Sequence, residues 1–152
     1  MRSINTVILI FIFSIGFISS CESSKASQNI SKNMIDKITL EKTTRGNSSQ
    51  LIMTSVETFN SEMKLGGEKE PSKTQTSNND WNKINQLVSK IDLNKIGEWE
   101  APTQARMYDG ALATTIIIES NGEIYNSQTF DEGKPPAELE ELYNYLESLV
   151  NQ

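Results

Sequence analysis

Residues 111–129, ALATTIIIESNGEIYNSQT, decide the fold of this chain. Their first part alternates between two sets of residues that are both apolar or small, which is typical of a central strand of a sheet. One set is Leu112, Thr114, Ile116 and Ile118, and the other is Ala113, Thr115 and Ile117. Asn121-Gly122 then predicts a two-residue hairpin turn, with residues 123–129 as the returning strand.

Two amphipathic helices lie on either side of this hairpin in the sequence. A turn at residues 130–136 leads into a helix over residues 136–150, whose apolar side chains recur at helical spacing: Leu139, Leu142, Tyr143, Leu146, Leu149 and Val150. An earlier helix starts near Asp80 and places Trp81, Ile84, Leu87, Val88 and Ile91 on one face. Each apolar face needs a partner layer, so both helices are expected to pack on the sheet.

The N-terminal half predicts two further strands. Residues 34–42 place Met34, Ile38 and Leu40 on one face, and residues 50–59 form the second strand. Residues 43–49 predict a turn or loop between them, longer than a tight hairpin turn. Residues 65–79 form the longest polar stretch, for which we expect a mobile loop.

The elements therefore follow the order strand, strand, helix, and then the same order again. This pattern predicts an α+β fold in two layers, with a four-stranded, mostly antiparallel sheet and both helices on one face. Residues 34–152 are long enough for one domain with one modest core.

Composition excludes several classes of function. The formal net charge of −6 makes nucleic acid and anionic lipid surfaces poor partners, because both carry negative charge. The sequence has no histidine, which removes the commonest general base and zinc ligand. It also has no Gly-x-Ser-x-Gly motif and no second cysteine, so we expect no catalytic residues, no metal and no cofactor. A pair of carboxylates that acts on glycans is not excluded, because their separation in space is not visible in a sequence.

The N-terminal segment has the features of a secretion signal. A basic residue, Arg2, precedes an apolar run over residues 4–17, which is shorter than the roughly 20 residues that span a bilayer. Ile18-Ser19-Ser20-Cys21 follows, and it resembles the lipobox of bacterial lipoproteins. The resemblance implies removal of residues 1–20 as a signal peptide and attachment of lipid, including acyl chains such as palmitate, to Cys21. Two alternatives remain, an uncleaved anchor helix and an ordinary signal peptide that leaves Cys21 as a free thiol.

Residues 21–33 would then form the lipidated N-terminus and a flexible tether, because this stretch is small and polar. Glu22 is not the aspartate that retains enteric lipoproteins in the inner membrane, so the resemblance favours the outer membrane. The covalent lipid would be the only non-protein group. We therefore expect a protein of the cell envelope whose contact with the membrane is this lipid.

The domain also resembles small uncharacterised lipoproteins of Gram-negative bacteria. The similarity lies in an early strand, residues 38–43, and in the Thr/Ile strand of residues 114–118, with a helix after a Pro/Ala turn at the end. The early cysteine motif of those proteins is missing, since Thr43-Thr44-Arg45-Gly46 stands in its place. This resemblance implies a fold and no known activity.

Four residues form a candidate interaction patch: Trp99, Arg106, Tyr108 and Asp109. Trp99 lies in an irregular segment as a candidate surface aromatic, and the other three place a guanidinium, a phenol and a carboxylate close together. The alternative, which we favour for these three, is an ion pair that fixes the loop before the central strand. Residues 130–133 suggest a turn rather than a calcium loop. The helix glutamates Glu138, Glu140, Glu141 and Glu147 are expected to form a solvated face.

The leading hypothesis is a lipid-anchored, non-catalytic binding or interaction module that contacts another envelope protein. An inhibitor of a periplasmic or secreted enzyme is one alternative. An envelope enzyme that acts on glycans through two carboxylates is the other, and it requires two acidic side chains in a shared cleft.

Overall fold

A computed structural model describes residues 35–150 of the chain. The predicted signal peptide, Cys21 and the tether lie outside these residues. The strands are β1 (Ile35–Thr44), β2 (Asn47–Thr54), β3 (Glu57–Lys64), β4 (Gly67–Gln75), β5 (Ala113–Ser120), β6 (Glu123–Asn126) and β7 (Phe130–Asp131). The helices are α1 (Asn78–Val88) and α2 (Glu140–Val150), and short 3-10 turns cover Leu93–Lys95, Ala105–Tyr108 and Ala137–Leu139.

All seven strands belong to one antiparallel sheet in the order β4-β3-β2-β1-β5-β6, with β7 pairing to β5. The prediction of an α+β fold with an antiparallel sheet and two helices is confirmed. The prediction of four strands is wrong, and the order of elements is ββββαβββα.

The core lies on one face of the sheet. On that face β1 contributes Ile38 and Leu40, which pair across the strands with Met53 and Leu51 of β2 and with Ile118 and Ile116 of β5. These side chains are buried together with apolar residues of both helices: Ile84, Leu87 and Val88 of α1, and Leu142, Tyr143 and Leu146 of α2. The central position predicted for β5, the Asn121-Gly122 turn and the final helix are therefore confirmed.

The extra strands lie where the sequence predicted one strand and a loop. Residues 50–59 fall partly in β2 and partly in β3, and most of residues 65–79 form β4, so the loop prediction is wrong. The connection between β1 and β2 is also shorter than expected, a two-residue turn in which Gly46 has a φ of +78°. The apolar alternation fails in β3 and β4 because their helix-facing residues are polar, as described below.

A bulge interrupts the edge strand β4. Asn60 pairs with Ser72 and Glu62 with Lys69, so Glu70 and Pro71 of β4 lie opposite Ser61 alone. Proline has no N–H to donate to a neighbouring strand, and edge strands and bulges are where sheets accept it. None of the helices within the described part of the chain is long and apolar enough to cross a membrane.

Candidate binding cleft

The sheet is wider than the layer of helices that covers it, and this mismatch creates a cleft. The rows of helix-facing residues change from apolar to polar as they run from β1 toward the β4 edge. Leu40 pairs with Leu51, Leu51 with Asn60, and Asn60 with Ser72. The end of α2 meets this polar region, where the side-chain amide of Asn60 donates a hydrogen bond of 3.2 Å to the carbonyl oxygen of Val150.

The cleft has a volume of about 560 Å³, within the range of small-molecule binding sites. Strands β1 to β4 form its floor, and the segment after β7 and the end of α2 supply the opposite wall. Its lining is mostly polar: Lys42, Ser49, Asn60, Ser61, Glu62, Lys69, Glu70, Ser72, Leu112, Glu132, Glu147 and Val150. Four glutamates and two lysines among these residues give the lining a formal charge of −2.

Lys42 lies at the junction between the core and the cleft. Its side chain is only 8% exposed, and its ammonium donates hydrogen bonds of 3.0 Å to Glu132 Oε1 and to Glu147 Oε2. Burial alone would lower the pKa of Lys42, but the hydrogen bonds and charges of Glu147 and Glu132 outweigh it and raise the pKa above its ordinary value. Lys42 therefore remains a charged ammonium, which is unsuitable as a nucleophile.

Thr114 lies directly across from Lys42 in the pairing of β1 with β5, on the same face of the sheet. Two residues earlier in the chain, Leu112 lines the cleft. The Thr114 side chain is fully buried, and its Oγ1 has no hydrogen-bond partner within residues 35–150. Buried hydroxyl groups usually find such a partner, so Thr114 leaves one polar group unsatisfied among the described residues, next to Lys42 in the sheet.

The other two glutamates of the cleft lie on β3 and β4. The hydrogen bond from Lys64 to Glu62 lowers the pKa of that carboxyl, and the ion-pair distance is 2.7 Å. Glu70 lies in the bulge of β4 and makes no ion pair in the part of the chain that the structure describes. No group of three or more His, Cys, Asp or Glu side chains within residues 35–150 could hold a metal ion, so these carboxylates do not converge on one point.

The four residues of the predicted interaction patch have different surroundings in the structure. Trp99 packs, half-buried, against the core. Tyr108 is 86% exposed, and Asp109 forms a long 3.8 Å ion pair with Arg45. Asp109 also lines a shallower recess of about 380 Å³, which adjoins the cleft and shares Ser49, Glu62 and Leu112 with its lining.

Arg106 has a structural role, although its partner is not Asp109. It forms a 3.1 Å ion pair with Asp131, which is buried at the end of β7. Asp131 also accepts hydrogen bonds of 2.6 Å from Thr103 Oγ1, 2.6 Å from the Ala105 amide and 3.0 Å from the Arg106 amide. Burial would raise the pKa of Asp131, but these four interactions hold it well below its usual value. An ion pair does fix the loop before β5, but its carboxylate is that of Asp131, in the segment predicted as a turn, and not that of Asp109.

The sequence did not reveal that Lys42, Glu132 and Glu147 form a group. Glu147 was expected on a solvated helix face, which is wrong, because its side chain is half-buried against Lys42. One signal was available: Lys42 has the same parity in β1 as Ile38 and Leu40, so a charge occupies a core-facing position. The partners of Lys42, which lie 90 and 105 residues away, left no comparable signal.

The comparisons with known proteins give no further guide to the site. No family model, curated protein or solved structure matches the chain.

Proposed function

We propose that this protein is a lipid-anchored protein of the cell envelope whose domain is a non-catalytic binding module, with the cleft as its binding site. The observation that carries the proposal is the cleft itself: about 560 Å³ with a polar lining, next to a buried Lys42 whose two glutamate partners face the opening. The volume falls in the range of small-molecule sites, and the polar groups can fix the orientation of a ligand.

The anchor rests on residues outside the described part of the chain. Ile18-Ser19-Ser20-Cys21 supports removal of residues 1–20 and lipid attachment at Cys21, and Glu22 favours the outer membrane. Two or three acyl chains are needed for a stable anchor, since each buried CH₂ contributes about 0.8 kcal/mol. A radiolabelled fatty acid should be incorporated into the wild type and not into Cys21→Ala. Equal labelling of the two would exclude lipidation at Cys21.

The chemistry of the cleft supports binding rather than catalysis. The sequence has no histidine to act as a base, and Lys42 stays protonated between two carboxylates. What the cleft offers is a fixed set of charged, hydroxyl and amide groups. Such groups recognise a polar ligand through hydrogen bonds and charge.

One observation favours a second candidate, an envelope enzyme that acts on glycans. Glu132 and Glu147 are two acidic side chains in a shared cleft, as that hypothesis requires. Against it, both accept a hydrogen bond from the same Lys42 ammonium, which therefore occupies space between them that a glycosidic bond would need. Release of soluble sugars from purified cell-wall glycan by the wild type, and not by Glu132→Gln or Glu147→Gln, would favour the enzyme.

The binding proposal is tested by NMR on the chain from residue 21 onward with Cys21→Ala, titrated with small-molecule fractions of a cell-envelope extract. We expect amide shifts at Ser49, Asn60 and Ser72, which line the cleft, and not at Ile52 or Phe59, which lie on the opposite face of the same strands. If every fraction leaves the cleft residues unshifted, or shifts both faces alike, the cleft is not the binding site.

A further inference from the structure

We propose that the ligand of the cleft is an organic cation with primary ammonium groups, an inference that rests on the proposed role of the cleft as a binding site. Its basis is the chemistry that the lining leaves unsatisfied. Four features support it: the charge of the lining, the spacing of its carboxylates, the absence of aromatic groups from its described residues and the buried hydroxyl of Thr114, the strand partner of Lys42.

The charge of the lining favours a cation. Both lysines in the cleft are close to carboxylates: Lys42 is bonded to Glu132 and Glu147, and the charge of Lys69 acts on Glu62. Glu70 makes no ion pair among the described residues, and the carboxylate of Glu132 remains partly exposed. An anionic ligand would add to the −2 charge of the lining, whereas a cation would balance it.

The spacing of the carboxylates favours an extended ligand. They lie on different walls, with Glu62 and Glu70 on the strands and Glu132 and Glu147 on the opposite side, and they form no group that could hold a metal ion. A metal ion needs several oxygen ligands at about 2.0–2.6 Å from one point. Separated carboxylates instead suit a molecule that carries its positive charges several bonds apart.

The neutral groups distinguish between kinds of organic cation. None of the described residues that line the cleft is aromatic, so the cleft has no aromatic cage for a quaternary ammonium group. Carboxylate oxygens, the hydroxyls of Ser49 and Ser72 and the amide of Asn60 all offer hydrogen-bond acceptors. A primary ammonium group has three N–H donors and matches such acceptors.

Thr114, the strand partner of the lining residue Lys42, supplies a separate observation. Its buried Oγ1 lacks a partner within residues 35–150, although it lies across from Lys42 on the face that lines the cleft. A hydroxyl oxygen can accept a hydrogen bond from an ammonium group. Thr114 therefore leaves an acceptor without a partner among the described residues, in the cross-strand row that includes Lys42 and Ser49 of the lining.

The test uses three linear probes of equal carbon number and different charge: 1,4-diaminobutane, 1,4-butanediol and succinate. Each is titrated by NMR into the chain from residue 21 onward with Cys21→Ala, at low ionic strength. We expect the diamine to shift Ser49, Asn60 and Ser72 at concentrations at least tenfold lower than the diol. Added salt should weaken the diamine, because part of its binding is the attraction of exposed charges.

Two variants separate a built site from general attraction to an acidic protein. Glu70→Gln removes a carboxylate of the cleft and should weaken diamine binding about two- to fivefold, the upper part of the range for one exposed ion pair. Glu100→Gln removes the same charge from an exposed position that does not line the cleft, so its affinity should stay within about 1.5-fold of the wild type.

The outcomes decide between the two proposals. Equal loss of affinity in Glu70→Gln and Glu100→Gln would overturn the cation inference, since diamine binding would then follow net charge alone. Tighter binding of succinate at the cleft would overturn it too, yet it would leave the cleft as a binding site. If none of the probes shifts the cleft while a fraction of the envelope extract does, the ligand is not a simple amine and only the inference fails.

Discussion

The sheet has a covered half, strands β1, β2 and β5 under the helices, and an uncovered half, strands β3 and β4. The same antiparallel backbone pairing supports different kinds of side chain in the two halves. On β1, β2 and β5 most helix-facing positions are filled by isoleucine, leucine and methionine, which are buried under α1 and α2, although polar residues such as Lys42, Ser49 and Thr114 share this face. On β3 and β4 the equivalent positions carry Thr58, Asn60, Glu62, Ser72 and Thr74. The border runs between Leu51 and its partner Asn60. One half of the sheet stabilises the fold by burial, and the other exposes polar groups that burial would penalise.

The comparison shows why a strand can exist without an apolar pattern. β3 pairs with β2, and β4 pairs with β3 on both sides of the bulge, so much of their backbone is hydrogen-bonded although their side chains contribute little apolar burial. Local polar bonds add to this, such as the 2.9 Å contact between the hydroxyls of Thr58 and Thr76. The uncovered half thus depends on the covered half for its place in the fold.

The largest expected effect lies at the border of the two halves. Leu51→Ala should lower the free energy of unfolding by about 2–4 kcal/mol, because a fully buried side chain is lost and a cavity remains. Its neighbour Asn60→Ala removes one hydrogen bond, to Val150, and should cost about 0.5–1.5 kcal/mol. Urea denaturation of both variants measures the difference. Equal losses of unfolding free energy would show that the change from buried to uncovered positions does not occur between Leu51 and Asn60.

The next effect concerns the one lysine at the junction. Lys42→Met keeps the volume of the side chain but leaves Glu132 and Glu147 without their cation, and it should cost about 1–3 kcal/mol, less than for a fully buried pair. Lys37→Met is the matched control on the same strand, since Lys37 pairs with Glu119 near the surface and should cost less than about 1 kcal/mol. Urea midpoints that fall equally in the two variants would argue against a special role for Lys42.

A smaller and pH-dependent effect comes from Asp131, the fully bonded carboxylate of the covered half. The folded-state pKa of Asp131 lies below the unfolded value of about 3.9, so its contribution to stability is present above that pH and is lost as the pH falls through the folded value. Asp131→Asn should therefore be less stable than the wild type at pH 7. The gap between their urea midpoints should narrow from pH 5 to pH 2, and a constant gap would contradict this account.

The smallest effect tests the contact between the two halves at their turns. Leu65, from the turn between β3 and β4, lies against Gly46, from the turn between β1 and β2, so a Cβ there would meet the leucine side chain at 1.9 Å. Gly122 has nearly the same φ, +79°, with nothing within 4 Å. In both alanine variants, backbone strain should lower the free energy of unfolding by about 1 kcal/mol. Gly46→Ala should lose a few tenths of a kcal/mol more of unfolding free energy, and not a larger amount, because the exposed Leu65 can move. Thermal denaturation of both variants measures the difference. A loss in Gly46→Ala no larger than that in Gly122→Ala would mean that this contact does not couple the halves.

The two halves also differ in how much the sequence revealed. The alternation in residues 111–119, the Asn-Gly turn and the helical spacing of Leu139, Leu142 and Leu146 predicted the covered half, because there burial imposes a period on the sequence. β3 and β4 have no such period, and Pro71 together with the charged residues around it indicated a loop. The partners of Lys42 could not be predicted, since they depend on how segments 90 or more residues apart pack together. An ion pair that fixes the loop before β5 was predicted, but the sequence did not identify Asp131 as the residue that supplies its carboxylate.

The bulge at Glu70 and Pro71 has a consequence for many copies held side by side. Molecules attached to one membrane by a lipid, as we propose here, are confined to two dimensions and meet one another often. An open strand edge would let the sheet of one copy continue into the next and seed an aggregate. A residue without an N–H, a local kink and the charges of Lys69 and Lys73 interrupt that edge, so the crowded domains would remain separate and their clefts open.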